Sequence, residues 1–191
     1  MSAEKHRTEA EAHEAEAKEH EAQYDPNASQ LKGGPIRPNW GRAGTTSVDW
    51  RTYNPTLKHL THASQHKGHA EDHRAAAAAL EKSELELCAA VPVPVRAACP
   101  LESQIKEVAV TSEGVRLTIE AGVQPAALLA HARCHAAVGA SLGRDGMEGC
   151  PLYLKGLEMD LSEDGSALEI RASDPAMRVA LQGRARALLE H

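Results

Sequence analysis

The sequence predicts an α+β fold with a long N-terminal helix and a duplicated β-β-α unit. Two observations support this. Between residues 56 and 98, histidines and then apolar residues recur in steps of three and four, as on one face of a long helix. Residues 99–191 contain two similar stretches, each with two alternating strands around a Gly turn and then a proline-started helix. We expect one four-stranded antiparallel sheet with both helices on one face.

Residues 1–23 are dominated by Ala, Glu, Lys and His, and their helix propensity is high. Beyond Met1 they contain no large apolar side chain, so we expect a solvated, partly frayed helix or a disordered segment. Alanine and histidine nevertheless alternate in steps of three and four, at Ala3, His6, Ala10, His13, Ala17 and His20.

Residues 24–55 are rich in Gly, Pro, Asn, Ser and Thr and show no clear period. We therefore interpret them as a linker. Three aromatic residues interrupt this polar composition, and we expect them to anchor the linker to the body of the protein: Trp40, Trp50 and Tyr53.

The long helix is expected to begin after Asn54, with Pro55 in its first position, and to run to about Cys88. The proline-rich stretch VPVPV at 91–95 then ends it. Its first half holds five histidines in the fifteen residues HLTHASQHKGHAEDH, separated by three, four, three and four positions. These steps place the five on one face of a helix.

Five imidazoles on one face predict a site for a divalent transition metal, with Zn²⁺ or Cu²⁺ as the expected ion. The predicted ligands are His59, His62, His66, His69 and His73. A second helix has to supply the remaining ligands, and the row at positions 6, 13 and 20 is the candidate. The alternative is structural: a neutral stripe packs on a neighbouring element or faces solvent. A metalloprotease is excluded because the stripe lacks the Glu of H-E-x-x-H.

The duplicated unit is recognised by apolar residues that occupy every second position of its predicted strands. Val108 and Val110 alternate in the first strand, and Leu117 and Ile119 do so in the second. The second copy repeats this pattern at Leu157, Met159, Leu161, Leu168 and Ile170. Ser173 followed by Pro175 is a typical helix start.

The four cysteines fall into two pairs that are close in sequence, Cys88 with Cys99 and Cys134 with Cys150. Two loop-closing disulfides of this kind would suit a thin core in an oxidising compartment, and four reduced buried thiols are the alternative. The stretch HARCHA also raises a Cys–His metal site or a Cys nucleophile with a His base, on His131, Cys134 and His135. It carries neither an orienting carboxylate nor an oxyanion signature.

Composition excludes two classes of partner. The net charge of −6 and the lack of a Lys/Arg run argue against a nucleic-acid partner. No apolar stretch has the length of a membrane span, so no transmembrane segment is expected. The polar start is not a signal peptide, which fits either a cytosolic protein or a mature exported chain.

Five short motifs occur in order over residues 54–191: NPT..HL, EDHRAAAAAL, RCHAA, CPLYLKG and DPAMRVALQGRARALL. In this order they resemble a family of exported proteins and predicted lipoproteins of proteobacteria, myxobacteria especially, with no assigned activity. The resemblance implies a periplasmic or outer-membrane-associated location, although the lipoprotein signal with which family members begin is absent from this chain.

The function that the sequence predicts is therefore that of a non-enzymatic, exported or envelope-associated protein that takes up a divalent metal ion through the histidine stripe. The alternative is a structural or interaction protein of the envelope that docks a protein partner on the long helix. An enzyme that uses Cys134 is the third hypothesis.

Overall fold

A computed structural model describes residues 1–35, 48–144, 147 and 149–189. It confirms the α+β class, with four helices and two antiparallel sheets over these residues. The chain divides into two compact units, one formed by residues 8–73 and the other by residues 1–7 together with 74–191. Among the described helices, none is both long enough and apolar enough to cross a membrane.

The first unit contains most of helix α1, Ala3–Gln23, and the first half of helix α2, Leu57–Leu87. The predicted long helix is thus confirmed, although it begins two residues after Pro55. The end of α1 is fastened to the start of α2, because the backbone carbonyl of Asp25 accepts hydrogen bonds from Asn54 Nδ2, at 2.7 Å, and Thr56 Oγ1, at 3.1 Å.

Residues Ala3–Gln23 form helix α1, and one side of this helix is buried rather than solvated as expected. Ala10 and Ala17 of α1 are 2% and 1% exposed, and Ala63 and Ala70 of α2 are 2% and 1% exposed. Both rows have seven-residue spacing, which keeps them on one side of a helix. Alanine has so small a side chain that two helices approach closely, and its burial is therefore hard to recognise from hydropathy alone.

The segment interpreted as a linker contains a two-stranded antiparallel sheet, β1 (Gln30–Pro35) and β2 (Val48–Tyr53). Tyr53 does not anchor it, since its side chain is 42% exposed and lies near Lys32. Trp50 lies in β2, opposite Gly33. The predicted anchor Trp40 lies outside the described residues.

The second unit contains the predicted duplicated β-β-α arrangement. Its elements are β3 (Ile105–Val110), β4 (Gly114–Ile119), α3 (Pro125–Leu142), β5 (Leu157–Leu161), β6 (Ala167–Ala172) and α4 (Pro175–Ala187). All strand pairs are antiparallel, and the order is β3-β4-β6-β5, so the second strands of the two copies lie side by side at the centre.

A single apolar core holds the sheet and its two helices together. Leu117 of β4 lies opposite Leu168 of β6, and both are 0% exposed. Leu128 of α3 and Leu181 of α4 belong to the same buried cluster, which places both helices on one face of the sheet. The cap of α4 is Asp174, whose carboxylate accepts from two backbone N–H groups, rather than the predicted Ser173.

The predicted local disulfide pairing is wrong. Cys88, just after α2, is bonded to Cys134 of α3 at 2.06 Å, across a sequence separation of 46 residues. Both cysteines are 0% exposed and pack with Val91 and Val138 in a small apolar cluster. Cys99 and Cys150 are free thiols. A cysteine pairs with whichever cysteine the tertiary fold brings to it, and proximity in sequence does not decide this.

Candidate metal centre

The histidine stripe of α2 meets the histidine row of α1 within the unit formed by residues 8–73. The ring of His13 lies 5.4 Å from that of His66, 5.2 Å from that of His69 and 5.6 Å from that of His73, measured between centroids. One imidazole of α1 therefore contacts three imidazoles of α2.

The same arrangement recurs one heptad away. The ring of His20 lies 5.6 Å from that of His59, 5.1 Å from that of His62 and 5.4 Å from that of His66. A step of seven residues forward on α1 corresponds to a step of seven residues back on α2, as antiparallel helices require. Each of the five predicted stripe residues thus contacts His13, His20 or both.

The tightest group of ligand atoms belongs to His13, His66 and His69, which each offer a ring nitrogen within 4.8 Å of the other two. The Nδ1 atoms of His13 and His66 are 3.2 Å apart. Two nitrogens bound to one tetrahedral Zn²⁺ at 2.0–2.1 Å lie about 3.3 Å apart. The pair therefore already has the spacing of two ligands on one ion.

A carboxylate that the sequence did not single out adjoins this group. Glu16 Oε2 lies 3.1 Å from Nδ1 of His13 and 2.8 Å from Nδ1 of His66. Glu16 follows His13 by three positions on α1, so the helix brings both side chains to the same face. It can accept a hydrogen bond from either imidazole or provide an oxygen ligand.

The histidines keep partial access to solvent. The side chains of His13 and His66 are 24% and 26% exposed, and His69 is exposed. The pKa of His59 is lowered, first because partial burial disfavours the charged ring and then because Lys58 is close. A lowered pKa favours the neutral imidazole, which is the form that binds metal.

A second group of ligand atoms lies in the other unit and was not predicted. Cys99, His135 and Cys150 each offer one ligand atom within 4.8 Å of the other two. The two sulfurs are 3.2 Å apart, and the Cys150 sulfur is 3.4 Å from Nε2 of His135. His135 and Cys150 are buried, with 0% and 7% of their surface exposed, and Cys99 is half-buried.

Backbone and ring contacts fix the orientation of His135. Its Nδ1 lies 3.0 Å from the carbonyl oxygen of Arg96, so Nδ1 carries the proton and Nε2 presents its lone pair to the sulfurs. The ring stacks on Tyr153 at 4.4 Å. Tyr153 in turn fits against Gly139, where a Cβ atom would come within 2.7 Å of the tyrosine ring.

The two thiols are electrostatically unlike. The pKa of Cys99 is lowered to about 7, chiefly because Cys150 hydrogen-bonds to its sulfur, while burial opposes the shift. The pKa of Cys150 is raised, first because its proton is held in that hydrogen bond and then because burial disfavours the thiolate. Burial also lowers the pKa of His135.

A repeated tripeptide could have revealed this group from the sequence. Cys99 and Cys150 are each the first residue of a Cys-Pro-Leu tripeptide. Each tripeptide lies a few residues before the first strand of a β-β-α copy. Leu101 and Leu152, at the end of each tripeptide, are 1% and 0% exposed. The duplicated architecture thus places two equivalent cysteines, and the fold brings them together.

The trio proposed from HARCHA is not a metal site or a nucleophile site. Cys134 is consumed by the disulfide to Cys88. His131 Nε2 lies 2.9 Å from the carbonyl oxygen of Val95, so this imidazole fastens the connection after α2 to α3. Of the three residues only His135 joins a cluster of ligand atoms, and it does so with different cysteines.

Comparison with known proteins returns no match: no protein-family model, no curated protein and no solved structure is similar to this chain. The inference of function therefore rests on the geometry of the two clusters.

Proposed function

We propose that this protein is a non-enzymatic binding protein that takes up a divalent transition metal, Zn²⁺ or Cu²⁺, between its two N-terminal helices. The proposed ligands are His13, His66 and His69, with Glu16 as the neighbouring carboxylate. The observation that carries the proposal is the convergence of ring nitrogens from two helices at ligand spacing.

The chemistry of the contact favours a metal over simple packing. Two Nδ1 atoms 3.2 Å apart can hydrogen-bond to each other only if one carries a proton and the other does not. A cation accepts both lone pairs at once and lifts this restriction. The alanine rows beside the histidines bury little apolar area, so packing alone gives these helices a modest driving force.

The competing function is a structural or interaction protein whose histidine stripe is a packing face, with a protein partner on the long helix. The contact of Glu16 with His13 and His66 favours it, because a carboxylate can hold a protonated imidazole without any metal. In that case loss of the histidines lowers stability in the absence of metal.

We further propose that the protein works in the cell envelope, in the periplasm or at the outer membrane. The disulfide between Cys88 and Cys134 supports this location, because disulfides persist in oxidising compartments. The resemblance to exported proteins over residues 54–191 supports it as well.

Calorimetric titration of Zn²⁺ into protein purified without a histidine tag tests the metal function. We expect saturable uptake at about pH 7.5 and its loss by about pH 5, because only neutral imidazole binds metal and an ordinary imidazole titrates near pH 6.5. The double substitution His66→Ala with His69→Ala should weaken binding by more than the roughly 10–100-fold that loss of an outer-shell partner costs.

The matched control is His59→Ala with His62→Ala, which removes two histidines at the same spacing from the same helix and leaves His13, His66 and His69 in place. It should retain the uptake assigned to those three residues. Absence of saturable Zn²⁺ uptake by the wild-type protein at micromolar metal would exclude the proposal, and the packing function would then stand.

A further inference from the structure

We propose that Cys99, Cys150 and His135 form a second metal site, a three-ligand Zn²⁺ centre whose fourth position opens to a surface cleft. This site lies in the unit formed by residues 1–7 and 74–191, and it does not depend on the histidine cluster of the other unit.

The donor set is one that zinc uses. Two thiolates and one imidazole, with water or a substrate in the fourth position, make up a known class of open zinc site. Two sulfurs bound to Zn²⁺ at 2.3 Å lie about 3.8 Å apart. The sulfurs of Cys99 and Cys150 are 3.2 Å apart, so they need to separate by about half an ångström to admit the ion.

The imidazole is prepared for binding by its outer contacts. A metal-binding histidine ordinarily donates its other ring N–H to a carbonyl or carboxylate, which fixes its tautomer and its orientation. His135 makes this contact to the carbonyl oxygen of Arg96 and is further held by stacking on Tyr153. Its free Nε2 consequently points at Cys150 rather than at solvent.

The cleft beside the sulfurs supplies the open position. It has a volume of about 640 Å³, and its lining includes both cysteines together with Glu102, Met147 and Arg184. Arg184 also donates to the backbone carbonyl of Cys150 at 3.1 Å, so a cation sits next to the proposed centre. The open position is therefore flanked by one cationic and one anionic side chain, Arg184 and Glu102.

Oxidation competes with metal at this site. Both sulfurs are close enough for a disulfide to form after a small movement, and a disulfide would remove both thiolate ligands. Metal binding, in contrast, only displaces the thiol protons to solvent. The test therefore has to begin with protein in which intact mass after alkylation shows two free thiols and one retained disulfide.

Titration with Co²⁺ is the sharpest probe, because a cobalt–thiolate bond gives a charge-transfer absorption in the near ultraviolet that imidazole ligands do not give. We expect this band to saturate, at one equivalent in the protein that lacks His66 and His69, and to be displaced by Zn²⁺. Cys150→Ser and His135→Asn should each weaken it, whereas His66→Ala with His69→Ala should leave it unchanged. The band therefore reports on this site even if the histidine cluster binds nothing.

Protection of the thiols provides a readout that needs no variant. Zn²⁺ should slow the alkylation of Cys99 by iodoacetamide at least tenfold, because a coordinated thiolate is a poor nucleophile. A protein with two free thiols that shows neither the band nor protection would overturn the proposal. So would recovery of Cys99 and Cys150 only as a disulfide that mild reductant cannot open without losing the fold.

Discussion

The two clusters of ligand atoms are built on different scaffolds. The histidine cluster lies between helices whose buried apolar side chains, among those described in residues 8–73, are all alanines. The Cys–His cluster borders a core of fully buried leucine and isoleucine side chains. The first places its ligands by helical repeat and leaves them partly exposed, whereas the second places them by tertiary packing and shields them.

This difference predicts different metal chemistry. Partly exposed imidazoles exchange their ion with solvent and lose it when acid protonates them. Buried thiolates bind soft and borderline ions more firmly, and they lose them when they are oxidised. Together the two sites would answer to two signals, acidity at the histidine cluster and oxidation at the Cys–His cluster.

The largest effect that separates the two regions should come from the disulfide. Replacing Cys88 and Cys134 by Ala reopens a loop of 46 residues, and the chain-entropy model assigns about 4 kcal/mol of stability at 25 °C to its closure. Urea unfolding of the double variant against wild type measures this loss.

The same variant tests whether the regions are energetically separate. Cys134 is next to His135 in α3, so the cobalt–thiolate band should weaken, while Zn²⁺ uptake by the histidine cluster should persist. An unchanged midpoint of urea unfolding would contradict the stabilising role of this disulfide. Loss of metal uptake at both sites would show that the two regions are not energetically separate.

The features that the sequence could predict are those set by local periodicity, and the features that it missed depend on contacts between distant segments. The strands and helices of the duplicated unit, and the length of α2, depend on local periodicity, and all were predicted. The meeting of His13 with His66 and His69 was only a candidate, because the shared heptad spacing shows that the faces match but not that the helices pair. The burial of Ala10 and Ala17 escaped prediction because hydropathy weighs alanine lightly.

The Cys–His cluster was not predicted: the repeated CPL tripeptide marks two of its residues as equivalent, but the contact among the three residues is long-range. Cys99, His135 and Cys150 come from three different segments, and only the tertiary structure brings them together. Strands β1 and β2 escaped prediction for another reason: QLKGGP has two glycines and no apolar alternation, and the short alternation in VDWRTY lies within a segment rich in Gly and Pro.

A smaller effect should follow from enlarging an alanine between the helices. Ala70→Leu places three extra carbons where the side chain is 1% exposed, so the helices must separate at a cost of about 1–3 kcal/mol. Separation should also pull His66 away from His13 and weaken Zn²⁺ uptake. Thermal unfolding and zinc calorimetry on the same variant measure both effects.

The control for this change is Ala78→Leu, an identical substitution at an exposed position of α2. Leucine and alanine both favour helix, so this variant should retain its stability and its metal uptake. If Ala70→Leu behaved like the control, the alanine row would not set the distance between the helices, and the contrast between the two scaffolds would lose its basis.

The smallest effect concerns a polar turn of the duplicated unit, between β5 and β6. The pKa of Asp164 is held well below its usual range, first because Ser162 Oγ donates to it at 2.7 Å and then because the backbone N–H and hydroxyl of Ser166 donate to it. A carboxyl group whose pKa is lowered in the folded state stabilises the fold above its unfolded pKa, about 3.9. This contribution begins to be lost as pH falls below that value and is fully lost only below the lowered pKa of the folded state.

Asp164→Asn should therefore be less stable than wild type at about pH 7, and the difference should shrink steadily as pH is lowered from about 4 towards 2. Glu163→Gln removes the same charge one residue earlier, and its melting temperature should fall with acid in parallel with that of wild type. A constant difference between Asp164→Asn and wild type across this pH range would show that the turn depends on the shape of the side chain and not on its charge.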